Sequence, residues 1–308
     1  MLTAPQLKTL LREHQLRLTK RLGQHHLVDA AAIRRIIEAC QLSPDETVVE
    51  IGAGLGALTE PLAAQAGRVI AVEIDRRIAA LLNDRMRSLP NVEIRHGDIL
   101  EFPWAEAAGA TVVGAIPYHI TSPIIVALSE QRGALRQAVL VLQDEVAARL
   151  LAAPGTKAYG RLSVLAQYAW ELSSRFTVPR SAFFPQPDVD SRCIRLLPRT
   201  KPAVQVQDEA LFFDLVKRAF AHRRKTLVNC LSDPGGVSRA QAEAAIRALG
   251  WPASIRGEAL SLEQFAQLAK ILAGGCRGAD PAQREDPHRA EGPASGTAQR
   301  QDPPATVR

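Results

Sequence analysis

Residues Val48 to Thr59 read VVEIGAGLGALT. A β-branched run carries Glu50 to a strand end, Gly52, Gly54 and Gly56 follow at alternate positions, and a helix start closes the stretch. Such glycines let a backbone approach a ligand closely, and the unpaired N–H groups of the following helix offer donors. The same glycines also serve a plain strand-to-helix corner, so the stretch alone does not separate a binding loop from a turn. Its neighbours decide the fold. TVVEIG (47–52), RVIAVEI (68–74), VEIRHGD (92–98), ATVVGAI (110–116) and AVLVLQ (138–143) are short strand-like runs, each separated by enough chain for a helix. That alternation predicts an α/β fold with a mainly parallel sheet and right-handed crossovers.

Outward from this series the rhythm changes. Residues 1 to about 40 read as helical, with a basic segment RLTKRLGQHHLVD (17–29) interrupted by Gly23 and an amphipathic run from Ala30 to Cys40. On the far side, RFTVP (175–179) and DSRCIRLLP (190–198) predict a closing antiparallel hairpin around the Pro-rich corner FFPQPDVD (183–190). PRTKP (198–202) reads as a linker, and 208–272 carries only helical patterns. From Gly274 onward Gly, Pro, Ala and charged residues lack apolar periodicity, which predicts a disordered tail. The expected division is 1–200, 201–273 and 274–308.

Composition narrows the function classes. The chain has 308 residues, 46% of them apolar, enough to fill a sizeable core. Cys40, Cys193, Cys230 and Cys276 are far apart and form no C-x-x-C pair, so neither a metal site nor a disulfide framework is expected. No run of about 18 uncharged apolar residues occurs, and the N-terminus lacks the apolar centre of a signal peptide, so a cytoplasmic protein without membrane contact is expected. Net charge is +6, and the five Arg after Leu272 are balanced by five acids, so the excess lies on the folded body and favours a polyanionic partner.

The chemistry begins at the ends of the second and third runs. Glu73 follows the glycines by about 20 residues, where a carboxylate can accept two hydrogen bonds from ribose hydroxyls. Asp98, in HGDIL (96–100), can accept from an exocyclic adenine amino group, or cap a helix. A Gly-rich loop with acids after both following strands fits S-adenosylmethionine better than a dinucleotide. At the end of the fourth run, VVGAIPYH (112–119) turns a stiff corner. Ile116-Pro117 holds the backbone extended, and Tyr118 offers a ring on which a flipped base can stack. Methyl transfer to an adenine amino nitrogen is difficult because its lone pair is delocalised into the ring. Acceptors that hold the amino hydrogens in line with the methyl would ease it.

Several segments together resemble the ribosomal RNA adenine dimethyltransferases, with the erythromycin-resistance (Erm) methyltransferases as relatives. GQHHLVD (23–29), EIGAGLGALT (50–59), FFPQPDVDS (183–191) and AFAHRRKTLVNCL (219–231) are similar to that family's motifs, in its order, across roughly residues 15–272. The resemblance implies a Rossmann-like, S-adenosylmethionine-dependent methyltransferase domain followed by a small helical domain that contacts RNA. It implies N6,N6-dimethylation of two adjacent adenines near the 3′ end of 16S RNA in the immature small (30S) ribosomal subunit, by a monomer. On this reading Gln24, His25, Leu27, Glu50, Gly52, Gly54, Gly56, Glu73, Ile74, Asp98, Ile99 and Ala115 surround the donor. Pro117 and Tyr118 hold the target base. Arg223, Arg224 and Lys225, in the helix read from HRRKTL (222–227), grip RNA phosphates together with RLTKR (17–21).

Two positions depart from the family pattern. Its corner reads N-(L/I)-P-(Y/F), and the side-chain carbonyl of that first residue meets the target amino group; this chain has Ala115 there. Loss of one such contact typically lowers rate by about 10²- to 10³-fold. His26 stands where the family has Phe. The substitution at 115 motivates an alternative, an RNA-binding small-subunit assembly factor of weak catalytic power. IPYHITSPI (116–124) is compatible with a third reading, an Erm-type enzyme acting on 23S RNA, against which the RRKTL segment argues.

Overall fold

The computed structural model describes residues 2–16, 24–117 and 120–275. In chain order the elements are α1 (Ala4–Glu13), β1 (His26–Leu27), α2 (Ala30–Cys40), β2 (Thr47–Ile51), α3 (Thr59–Ala63), β3 (Arg68–Glu73), α4 (Arg76–Met86), β4 (Val92–His96) and β5 (Ala110–Ala115). There follow α5 (Thr121–Glu130), β6 (Leu135–Gln143), α6 (Asp144–Leu151), α7 (Arg161–Ala169), β7 (Trp170–Val178), β8 (Phe183–Phe184) and β9 (Ser191–Pro198). Helices α8 (Glu209–Ala219), α9 (Leu227–Leu231), α10 (Arg239–Ala248) and α11 (Leu262–Gly275) complete the described chain.

The β-branched runs form the interior of a sheet ordered β4-β3-β2-β5-β6-β9-β7 among the described residues. The first five are parallel; β9 runs antiparallel between β6 and β7, which closes the sheet as the hairpin expectation required. Both faces of the parallel strands are covered, which is why these runs are apolar throughout rather than alternating. Val49, Ile51, Ile70, Val72 and Val112 face α5 to α7. Val48, Val69, Val113, Val139 and Val141 face α2 and its neighbours. Helix α2 buries Ile33, Ile36, Ile37 and Cys40 along one stripe, and Asp29 begins it by accepting from Ala32 N at 2.7 Å. The strand order reverses between β2 and β5. That switch point opens a crevice beyond the strands' carboxyl ends, the usual place for a ligand in such sheets.

Two expectations are corrected. Residues 24–29 are not helical: His26 and Leu27 pair antiparallel with Phe184 and Phe183, and Val28 N donates to Ala182 O at 2.9 Å. Sheet pairing with a segment some 155 residues away overrides local pattern, and no local reading detects it. The HRRKTL segment is not a helix but a turn between α8 and α9. The basic segment 17–21 and the tail from residue 276, Cys276 included, lie outside the described residues. Helices α8 to α11 build an apolar cluster around Phe212, Leu227 and Phe265, and Tyr159, Val164 and Tyr168 from the α6 to α7 region enter the same cluster.

Candidate functional site

An open cleft occupies the switch point. From β2 and its loop come Ile51, Gly52 and Gly54; from the end of β3 come Glu73 and Ile74; from the end of β4 come Asp98 and Ile99. Ala115 and Pro117 enter from β5 and its corner, and Gln24, His25 and His26 close the cleft from the segment leading into β1.

Glu73 is 5% exposed, and burial raises its pKa. Its carboxylate is nevertheless held in place by two backbone donors, Gly54 N to Oε2 at 2.8 Å and Asp75 N to Oε1 at 2.9 Å. The Ile74 amide adds to these, and the carboxylate keeps acceptor capacity toward the cleft. The same Asp75 caps α4 and accepts from Gln24 Nε2 at 3.3 Å, which ties the N-terminal segment to the acidic end of β3. His25 Nδ1 lies 2.7 Å from Pro185 O, so the FFPQP corner positions that imidazole. Asp98 does cap a short 3₁₀ turn, accepting from Leu100 N at 2.9 Å, and it lines the cleft as well. The capping and ligand readings of Asp98 are compatible. Ile74 is 48% exposed, an apolar side chain left at the cleft rim.

Leu27, Glu50 and Gly56 do not line the cleft. Leu27 belongs to the core beside α2. Glu50 is 2% exposed and accepts from Thr59 Oγ1 at 2.6 Å, so it braces the Gly-rich loop against the start of α3 from beneath. Burial, with Glu73 nearby, pushes its pKa up to about 8. Gly56 has φ +87°, and a Cβ there would meet Met86 Cε at 2.6 Å and Leu82 Cδ1 at 2.8 Å. It lets the loop pack on α4. Glu50 and Gly56 thus shape the loop.

The corner at β5 is less permissive than its composition suggests. Pro117 O already accepts from Ile120 N at 3.2 Å and Thr121 Oγ1 at 3.2 Å, which uses both of its lone pairs. Ala115 is half-buried and lines both the main cleft and an adjoining hollow shared with His25, Pro117, Phe183 and Ser191. Tyr118 lies outside the described residues.

His26 was not nominated from sequence, yet it lines the cleft. A polar residue where the family resemblance expects Phe was the available signal. In the turn between α8 and α9, Arg223 Nη2 donates to Lys157 O at 2.6 Å and lies 3.7 Å from Glu258 Oε2; Lys225 Nζ lies 3.4 Å from Asp233 Oδ1. Arg224 is exposed in the same turn and makes no ion pair among the described residues. Three cysteines are buried free thiols, and among the described residues no group of His, Cys, Asp and Glu is arranged to hold a metal ion. No described helix is long and apolar enough to cross a membrane.

Residues 15–273 match the family model described as ribosomal RNA adenine dimethylase. The curated ribosomal RNA small subunit methyltransferase A of Geobacillus kaustophilus is 43% identical over 277 residues, 86% of this chain and 94% of that protein. Its counterpart in Syntrophus aciditrophicus is 40% identical over 273 residues, 86% and 98% of the two chains. Among solved structures, a dimethyladenosine transferase from Plasmodium falciparum superposes with TM-score 0.70 at 26% identity, covering 82% of this chain and 98% of that one. The 23S rRNA methyltransferase ErmE superposes with TM-score 0.60 at 31% identity, covering 80% and 99%.

Proposed function

The chain belongs to the ribosomal RNA adenine dimethylase family, and from that premise we propose that it transfers methyl groups from S-adenosylmethionine to the N6 atoms of two adjacent adenines near the 3′ end of 16S RNA, acting as a monomer on immature small subunits in the cytoplasm. The observation that carries this reading is convergence: Glu73, Asp98 and the Ala115–Pro117 corner, far apart in sequence, meet on one cleft at the switch point. The cleft fits the donor. Glu73 offers carboxylate lone pairs to a ribose, Ile74 an exposed apolar face to a purine, Asp98 an acceptor to the purine amino group, and Gly52 a backbone with nothing within 4 Å of its Cβ position. Bound there, the donor supplies an electrophilic sulfonium methyl.

The chain's own residues then hold and orient. Residue 115 lines both the donor cleft and the adjoining hollow, so it stands beside the Pro117 corner that would hold the target base. With Ala at this position, the target amino group is held with one acceptor fewer than the resemblance implies. On this reading 1–200 carries the chemistry, and 201–273 contacts RNA through Arg223, Arg224 and Lys225.

The decisive experiment incubates purified immature small subunits with labelled donor. Wild type is expected to label two adjacent adenines of small-subunit RNA, and Ala115→Asn to raise the single-turnover rate by up to about 10²-fold. Label in large-subunit RNA instead would favour the Erm-type reading. Tight subunit binding without label in either form would establish the assembly-factor reading, which Ala115 supports.

A further inference from the structure

Arginines gather where α2 lies against β6 and β9, beside the edge strand β7. These four elements carry six arginines against two acids, Glu38 and Glu171. Glu171 is taken by Arg199 at 3.4 Å, and Glu38 forms no ion pair among the described residues. Four of the arginines, Arg35, Arg136, Arg175 and Arg195, converge. Arg35 Cζ stands 3.9 Å from the centroid of the Phe176 ring, and Phe176 pairs with Cys193 of β9. Between Ser174 and Phe176 the ladder with β9 slips by one residue, so Arg175 is the extra residue of a bulge, a device that re-aims a side chain. Burial pushes the Cys193 thiol up to about 12, and Arg175 and Arg35 both oppose that rise, so the two guanidiniums share the surroundings of one β9 residue. Burial lowers the pKa of Arg195, and the like charges of Arg175 and Arg136 lower it further.

The group is fixed from beneath. Gln137 is fully buried; its Nε2 donates to Cys40 O and Thr111 Oγ1, and its Oε1 accepts from Arg195 Nε at 2.7 Å. Arg195 is thereby held through Nε, and its two Nη groups make no hydrogen bond among the described residues. The one carboxylate paired to the four arginines among the described residues is Glu46, which is buried and holds Arg136 Nη1 at 2.8 Å. Like charges fixed this close repel unless an anion joins them. None of the four lines the cleft or belongs to the turn between α8 and α9. All are arginine, whose planar fork matches phosphate oxygens in pairs where a lysine offers a point charge. Resting on the ribosomal RNA reading above, we propose that this face binds the phosphate backbone of a second segment of small-subunit RNA, apart from the segment that carries the target adenines. Two separated holds read the arrangement of RNA segments in the subunit rather than a local sequence.

Filter binding over a salt series tests this on immature small subunits, on protein-free small-subunit RNA and on a short RNA bearing the adenines. The double variant Arg175→Gln with Arg195→Gln is expected to weaken binding to the first two about 10-fold and to reduce their log-log salt slopes by roughly 1.4–1.8, the sum of two phosphate contacts. Its affinity for the short RNA, and for S-adenosylhomocysteine by calorimetry, is expected to stay within about 2-fold of wild type. Arg175→Gln alone, at an exposed side chain that spares the Gln137 contact, is expected to give half of the slope change and serves should the double variant fold poorly. Unchanged slopes in a folded variant overturn the proposal, as does an equal loss on the short RNA, which would assign the patch to the target segment. A loss on subunits that vanishes on protein-free RNA overturns it in favour of a protein partner. A wild type that binds S-adenosylhomocysteine but none of the three RNA samples removes the ribosomal RNA reading itself, and the proposal with it.

Discussion

Glu50 and Glu73 are both buried carboxylates, and their partners separate their roles. Glu73 accepts only from backbone amides and faces the cleft; Glu50 accepts from Thr59 and faces the interior. Replacing Glu73 by Ala would strand both amide donors, whereas Glu73→Gln keeps one acceptor oxygen and turns its NH₂ toward the other amide, so it removes the charge and one backbone contact. It is expected to lower donor affinity about 10- to 100-fold, since hydrogen bonds to a charged acceptor are worth about 1.5–3 kcal/mol each; calorimetry that finds wild-type affinity would remove Glu73 from the site. Glu50 makes a prediction about stability. Its folded-state pKa near 8 lies above the ordinary 4.5, so the folded chain holds that proton more tightly than the unfolded chain. The stability this contributes is complete below pH 4.5 and is lost as pH rises through 8, by about 5 kcal/mol at most at ~1.4 kcal/mol per pH unit. Glu50→Gln preserves an acceptor for Thr59 and is expected to flatten that decline in the ligand-free protein. Parallel urea-unfolding curves for the variant and wild type between pH 5 and 8 would contradict it.

At the scale of elements, the turn between α8 and α9 was read as a helix and is not one, and the difference matters for the proposed RNA contact. A helix would distribute Arg223, Arg224 and Lys225 around its circumference. In the turn, Arg223 is anchored on Lys157 O beside Glu258 and Lys225 sits beside Asp233, leaving Arg224 as the cation without an ion pair. Arg224→Gln alone is therefore expected to reduce the log-log salt slope of RNA binding by about 0.7–0.9 with stability unchanged. Arg223→Gln is expected to weaken RNA binding and also to loosen the turn. Filter binding across a salt series, with thermal melts of each variant, distinguishes the two; an unchanged slope for Arg224→Gln would mark it as a solvated side chain.

Across the whole molecule, the helical region and the sheet region are joined by shared packing rather than by the chain alone. Tyr159 and Tyr168 stand in the cluster built by α8 to α11, and Tyr159 Oη donates to Leu260 O at 3.0 Å across 101 positions of sequence. Tyr159→Phe leaves that carbonyl unpaired in a buried setting and is expected to lower stability by about 1–3 kcal/mol, within a single unfolding transition. Two transitions in urea, with only the weaker one shifted, would show that the helices unfold independently. The basic excess of the folded body fits a polyanionic partner at this scale, because its effect reaches over a Debye length rather than through one contact.

The parallel sheet, its closing hairpin, the helical C-terminal run and most of the cleft were legible in the amino-acid order. Each rests on a local regularity: β-branched runs at helix-length intervals, glycines at a strand end, acids placed after strands. Ala115 was legible as a loss only through the family resemblance, as a side chain without a carbonyl where the family's corner carries one. What the order of residues did not reveal depends on partners distant in the chain. Strand β1 exists because Phe183 and Phe184 return to pair with it, and Glu50 turned inward because Thr59 and the packed loop enclose it. Gly56 packs against Met86 and Leu82, Pro117 O is engaged by its own turn, and His26 becomes a buried, unpaired nitrogen only when Gly54 is folded against it. Periodicity records which face of an element is apolar, whereas the direction and partners of a single polar atom are set by long-range packing, which has no local signature.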